Sequence, residues 1–136
     1  MNSTEKVSIF WFRRDLRLED NHGLYQALQG EHPVLPIFIF DENIINELAI
    51  DDPRISFIYK QLANINTVLL DRKTSLYCCK GNPTEVFKKL LTEFDVQEVY
   101  INEDYEPYAK IREQNISDIL AEKNIFLKKY KDQVIF

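Results

Sequence analysis

Two stretches of this chain concentrate side chains that can hold a ligand. Phe10 to Asn21 reads FWFRRDLRLEDN, where an apolar run gives way at once to Arg13, Arg14, Asp15 and Arg17. Asn102 to Tyr108 reads NEDYEPY and gathers carboxylates and tyrosine rings around Pro107. A guanidinium forks onto carboxylate or phosphate oxygens. Arg13, Arg14 and Arg17 therefore either face a ligand or pair with Asp15, Glu19 and Asp20 to fix the loop. Asp15 reads as a brace within that loop rather than as a general base. Glu106 is more informative, because Pro107 fixes the backbone behind it and confines Glu106 to extended conformations. Its carboxylate is thus held at a helix entrance, where it can accept hydrogen bonds from a ring N–H or an exocyclic amine. The competing reading is complementarity to the helix dipole, worth under about 1 kcal/mol when exposed. Tyr105 and Tyr108 add flat amphipathic faces, at least one of which is expected to pack on the core. Asp41, directly after Phe40, either bonds a ligand or begins a turn.

Other chemistries lack material. Only Gly23, Gly30 and Gly81 occur, so neither G-x-G-x-x-G nor a P-loop is present, and backbone cradling of a diphosphate is not expected. His22 and His32 are the only histidines, and neither has a Ser or Cys partner at recognisable spacing, which excludes a hydrolytic triad and a zinc site. No residue is assigned a catalytic or metal-binding role. Cys78 and Cys79 are adjacent in an apolar run, which suits reduced, mostly buried thiols rather than a disulfide framework. Lys128, Lys129 and Lys131 form the only basic run and read as protection of an edge strand.

The elements that must position these groups follow from the pattern. The chain has 136 residues, 45% of them hydrophobic, as expected for one domain with a real core. β-rich runs occur at Val7 to Phe12, Val34 to Phe40, Ser75 to Cys79 and Glu98 to Ile101, with a weaker one at Phe126 to Tyr130. Between them lie helical patterns. Asp20 or Asn21 can cap the helix of Leu24, Ala27 and Leu28, which Gly30 can end. Ile58, Leu62, Ile65 and Leu69 share one helix face. Asn82-Pro83 opens the helix of Val86, Phe87, Leu90 and Leu91, and the last helix, with Tyr108, Ile111, Ile116, Ile119 and Leu120, begins just after Pro107. The βαβαβαβαβ order predicts a parallel sheet with helices on both faces. Ligands of such sheets bind beyond the carboxyl ends of the strands where strand order reverses. With order 3-2-1-4-5, FWFRRDLRLEDN and NEDYEPY would face one crevice, with Trp11 the core aromatic best placed to reach it.

The net charge of −5 and the pI near 5.1 argue against DNA binding by this chain alone. The N-terminus lacks a signal-peptide pattern and no segment is long enough to span a bilayer, so a cytoplasmic protein without membrane association is expected.

The same two stretches carry a resemblance. FWFRRDLRLEDN resembles the N-terminal signature WFRRDLRxxDN of the DNA photolyase and cryptochrome family, and NEDYEPYAKIRE resembles its NxDYEPxxxxRD. Lys80 to Val86 echoes RGxPxEV, and Asp132 to Phe136 is similar to the segment after the fifth strand. Departures are Ile111 at a commonly acidic position, Glu113 for the frequent Asp, and Gly23 for a frequent Ala. The resemblance implies that residues 1–136 are the family's N-terminal Rossmann-like α/β domain, with strand order 3-2-1-4-5. It further implies an antenna chromophore, methenyltetrahydrofolate or a deazaflavin or other flavin. That antenna would pass excitation energy to reduced FAD in a separate helical domain, absent from this chain. There FAD splits UV-induced pyrimidine dimers or, in cryptochromes, serves blue-light signalling. UV-damaged DNA would be a partner of the full-length protein only, and this chain alone is not expected to be catalytically competent. Glu106 ranks first as an antenna ligand, followed by Asn102, Tyr105, Asp41, Trp11 and Arg13. A standalone nucleotide- or flavin-binding sensor and an antenna-free scaffold are the other readings.

Overall fold

Short runs rich in β-branched and aromatic residues become strands here because neighbouring amphipathic helices cover them from both sides. A computed structural model describes residues 6–13, 18, 21–41, 53–71, 76–104 and 106–131. In chain order the elements are β1 (Lys6–Phe12), α1 (His22–Leu28), β2 (Val34–Asp41), α2 (Pro53–Asp71), β3 (Tyr77–Gly81), α3 (Pro83–Glu93), β4 (Asp95–Asn102), α4 (Pro107–Ala121) and β5 (Phe126–Tyr130). The sheet runs β3-β2-β1-β4-β5 with every neighbouring pair parallel. The chain therefore builds outward from β1 in one direction and then from β4 in the other. The order reverses between β1 and β4.

Alternation along the strands divides the core in two. Val7, Ile9 and Trp11 of β1 join Ile37 and Ile39 of β2 beneath Phe87 and Leu90 of α3 and Ile116 and Leu120 of α4. Phe10, Phe12 and Phe38 point the other way, against Leu24 and Ala27 of α1 and Leu62, Ile65 and Leu69 of α2. In β4 the alternation breaks. Val7 pairs with Val96 but Ser8 pairs with Glu98, so Gln97 is an extra residue. This bulge places Val96 and Val99, three apart, in the same core. It also explains why β4 begins at Asp95 rather than at the expected Glu98: Asp95 and Gln97 hide the strand in the hydropathy pattern.

The helix starts are capped by their own sequence. Asn21 Oδ1 accepts from the Leu24 N–H at 3.1 Å, and Asn82 Oδ1 accepts from the Thr84 N–H at 2.9 Å. Gly81, the last residue of β3, has φ 145°, a conformation that side-chain-bearing residues rarely adopt. The cysteines differ from expectation. Both are free, but Cys78 is exposed and Cys79 half-buried, because β3 is an edge strand whose faces the flanking helices cover only in part. β5 is the opposite edge, and its lysines answer carboxylates: Lys128 pairs with Glu98 and Lys129 with Glu113. Among the described residues, no helix is long and apolar enough to cross a membrane.

Candidate functional site

Arg13 leaves the end of β1 and does not reach solvent, being 7% exposed. Its Nη2 donates to the backbone carbonyl of Asn102 at the end of β4 and, at 2.7 Å, to Glu113 Oε1 of α4. A buried charge of this kind is tolerable only with such partners. Glu113 lies on the face of α4 that carries Ala109, Ile116 and Leu120, all buried. Its second oxygen sits 3.5 Å from Lys129 Nζ.

A second pair lies beside the first. Arg112 Nη1 is 3.2 Å from Asp41 Oδ2 at the end of β2, and the Tyr108 hydroxyl donates to the same oxygen at 3.1 Å. Tyr108 and Arg112 are one helical turn apart on α4, so both reach one carboxylate. The two guanidinium groups share an aromatic support, with Arg13 5.4 Å and Arg112 5.8 Å from the Trp11 ring centre. Trp11 itself is 1% exposed and meets Phe87 edge-on at 5.1 Å. The ends of β2, β1 and β4 are thereby tied to the first turns of α4 across the switch point.

On the α1 side Asn102 serves as the clasp. Its Oδ1 accepts from the Gly23 N–H at 2.7 Å, and its Nδ2 donates to Asn21 Oδ1 at 2.6 Å. A Cβ on residue 23 would stand 2.7 Å from Asn102 Oδ1 and 3.1 Å from the Ile101 carbonyl, so glycine permits this close approach.

Glu106 differs from the rest. It is exposed and occupies the N-cap position of α4 in an extended conformation, without a side-chain capping bond. Its backbone N–H donates to Asp104 Oδ1 at 3.0 Å. Of the residues singled out from sequence, Arg13, Asn102, Trp11 and Asp41 thus lie in one buried polar assembly and Glu106 at its rim. Tyr105 lies outside the described residues, as do Arg14, Asp15 and Arg17. Sequence reasoning gave no weight to Arg112 and Glu113 as partners. The signal was available for Glu113: a carboxylate at a core-spaced position of an amphipathic helix requires a buried cation.

The sequence from Ser8 onward has further support, since residues 8–136 match the family model described as DNA photolyase. The chain belongs to the DNA photolyase family. Cryptochrome-2 of Gallus gallus is 32% identical over 118 residues, covering 87% of this chain and 20% of that protein. The deoxyribodipyrimidine photo-lyase of Halobacterium salinarum is 29% identical over 137 residues, covering 94% and 28%. The archaeal photolyase of Sulfolobus tokodaii superposes with a TM-score of 0.79 at 33% identity, over 92% of this chain and 29% of that one. That crystal structure is described as holding two FAD molecules and as implicating a novel light-harvesting cofactor. This photolyase-family chain spans less than a third of the length of these relatives. Its sheet and helices are those of the N-terminal domain of photolyases and cryptochromes.

Proposed function

We propose that residues 1–136 form the antenna-chromophore domain of a cytoplasmic photolyase, and that the chromophore rests at the rim of the switch-point crevice with Glu106 as its hydrogen-bond acceptor. The observation that carries this reading is the exposed Glu106 carboxylate, held by Pro107 at the head of α4. The residues fit a planar chromophore. Glu106 offers an anionic acceptor for ring N–H groups, and the Nε–H of Arg112 is a buried donor with no hydrogen-bond partner among the described residues.

When bound, the chromophore supplies light absorption and passes excitation energy to reduced FAD in the helical domain of the longer protein. This chain's own part is placement. The Arg13–Glu113 and Arg112–Asp41 pairs hold α4 against the strand ends, so Glu106 presents its carboxylate in a fixed position. A charge-assisted hydrogen bond formed there would orient the ring. A cryptochrome photoreceptor is the second reading, favoured by the match to the Gallus gallus cryptochrome-2 at 32% identity. Both readings assign this domain the same task.

The test is titration of the purified chain with 5,10-methenyltetrahydrofolate and with riboflavin. Saturable binding with a shifted absorption band is expected for one of them, weakened roughly tenfold or more in Glu106→Gln. Absence of saturable binding by both would overturn the antenna reading and leave the scaffold reading.

A further inference from the structure

We propose that Tyr108 is a ligand-contacting residue whose outward ring face forms the stacking wall of the site, selecting planar heteroaromatic ligands over merely charged ones. The inference rests on the antenna reading above, since Glu106 supplies the acceptor that fixes the stacked ring in place. Tyr108 lies in the first turn of α4, two residues after Glu106, and is 38% exposed. It is not a loosely solvated side chain. Its hydroxyl donates at 3.1 Å to Asp41 Oδ2, and Asp41 is 3% exposed. Its ring lies 5.2 Å from the Arg112 guanidinium carbon, and that same guanidinium is 5.8 Å from the Trp11 ring. Cation–π contacts through Arg112 thus link the buried Trp11 to a partly exposed tyrosine.

Two physical consequences follow. The ring is fixed before any ligand arrives, so stacking costs little further side-chain entropy. The guanidinium packed on the same ring adds a cation–π attraction that helps to hold it in place. A pterin or isoalloxazine that stacks on Tyr108 can direct a ring N–H toward a carboxylate two residues upstream. An aliphatic anion or a simple sugar phosphate gains nothing from this wall.

The experiment compares the wild-type chain with Tyr108→Leu, Tyr108→Phe and Glu106→Gln in titrations with riboflavin and 5,10-methenyltetrahydrofolate, following affinity and the fluorescence of the bound probe. Tyr108→Leu removes the wall and is expected to weaken binding about tenfold. Tyr108→Phe keeps the shape but removes an easily oxidised ring. It loosens binding a few-fold, while the fluorescence of bound riboflavin, quenched by electron transfer from a contacting tyrosine, rises. If Tyr108→Leu fails to fold, as judged by its thermal transition, the Tyr108→Phe fluorescence decides alone. If Glu106→Gln weakens binding but the Tyr108 variants match the wild type in affinity and fluorescence, the Tyr108 proposal is overturned and the antenna reading stands. If the wild-type chain binds neither probe, both are overturned.

Discussion

A guanidinium and a carboxylate buried together matter most when one is removed. Arg13 and Glu113 have side chains 3% and 8% exposed and meet at 2.7 Å. Replacing only one leaves its partner charged inside the fold, which typically costs about 3–5 kcal/mol. Arg13→Leu is therefore expected to lower the unfolding free energy by about 3 kcal/mol in urea denaturation. The double variant Arg13→Met, Glu113→Met should lose clearly less than the sum of the single changes, because neither charge then remains unmatched. Additive losses would show that the two residues do not act as a pair. Glu106 is exposed at the head of α4, so its replacement should alter ligand affinity and cost much less stability than the loss of one member of the buried pair.

At the scale of elements, the two asparagine caps look alike in sequence and differ in consequence. Asn82 caps α3 at the surface through the Thr84 N–H, and Asn82→Ala should cost about 1 kcal/mol in thermal unfolding. Asn21 caps α1 and also accepts from the buried Asn102 amide at 2.6 Å. Asn21→Ala removes both interactions, so a larger loss of roughly 2 kcal/mol is expected. Equal losses would mean that the clasp between α1 and β4 adds nothing.

The β4–β5 seam has a pH signature. The hydrogen bond from Lys128 holds the Glu98 carboxyl below its ordinary range, opposed by partial desolvation and aided by Tyr100, and Lys128 is correspondingly pushed up by Glu98. A carboxyl with a depressed folded-state pKa stabilises the fold above its unfolded pKa. That contribution is lost as pH falls through the folded value. Both side chains are partly solvated, so the effect stays below about 1 kcal/mol. The stability difference between wild type and Glu98→Gln should shrink as pH is lowered from 6 toward 2, and a constant difference would exclude the seam as its origin. The Lys128 contribution has the opposite dependence: present below its unfolded pKa and lost only as pH rises through the elevated folded value.

For the molecule as a whole, the sheet is the frame and the switch point is where its parts are joined. Helices α1 and α2 cover one face and α3 and α4 the other, and the strand ends at the β1–β4 reversal are tied together by side chains from β1, β2, β4 and α4. The chain spans 20% to 29% of the relatives described, and the proposed antenna role leaves the photochemical FAD to the helical domain of a longer protein. Residues 1–136 supplied with reduced FAD and illuminated in the near ultraviolet should therefore leave pyrimidine dimers in oligothymidine intact. Dimer reversal by this chain, read by chromatography, would overturn that assignment.

Local pattern alone determined most of the secondary structure. The spacing of Ile58, Leu62, Ile65 and Leu69 defines a helix face, Asn82-Pro83 and Glu106-Pro107 mark helix starts, and strand–helix alternation leaves little besides a parallel sheet, because these signals act within a few residues of chain. Motif resemblance supplied the strand order and the family. Only the tertiary structure decided the partners. Arg13 and Glu113 are 100 positions apart, Asn21 and Asn102 81, and Asp41 and Arg112 71. Any of the nearby opposite charges in FWFRRDLRLEDN would have been an equally good partner for Arg13 on sequence grounds. Which buried charge meets which depends on the strand ends that the reversal between β1 and β4 brings side by side. The same non-local geometry leaves Cys78 exposed on β3, since an apolar run is covered only where the sheet has helices above and below it.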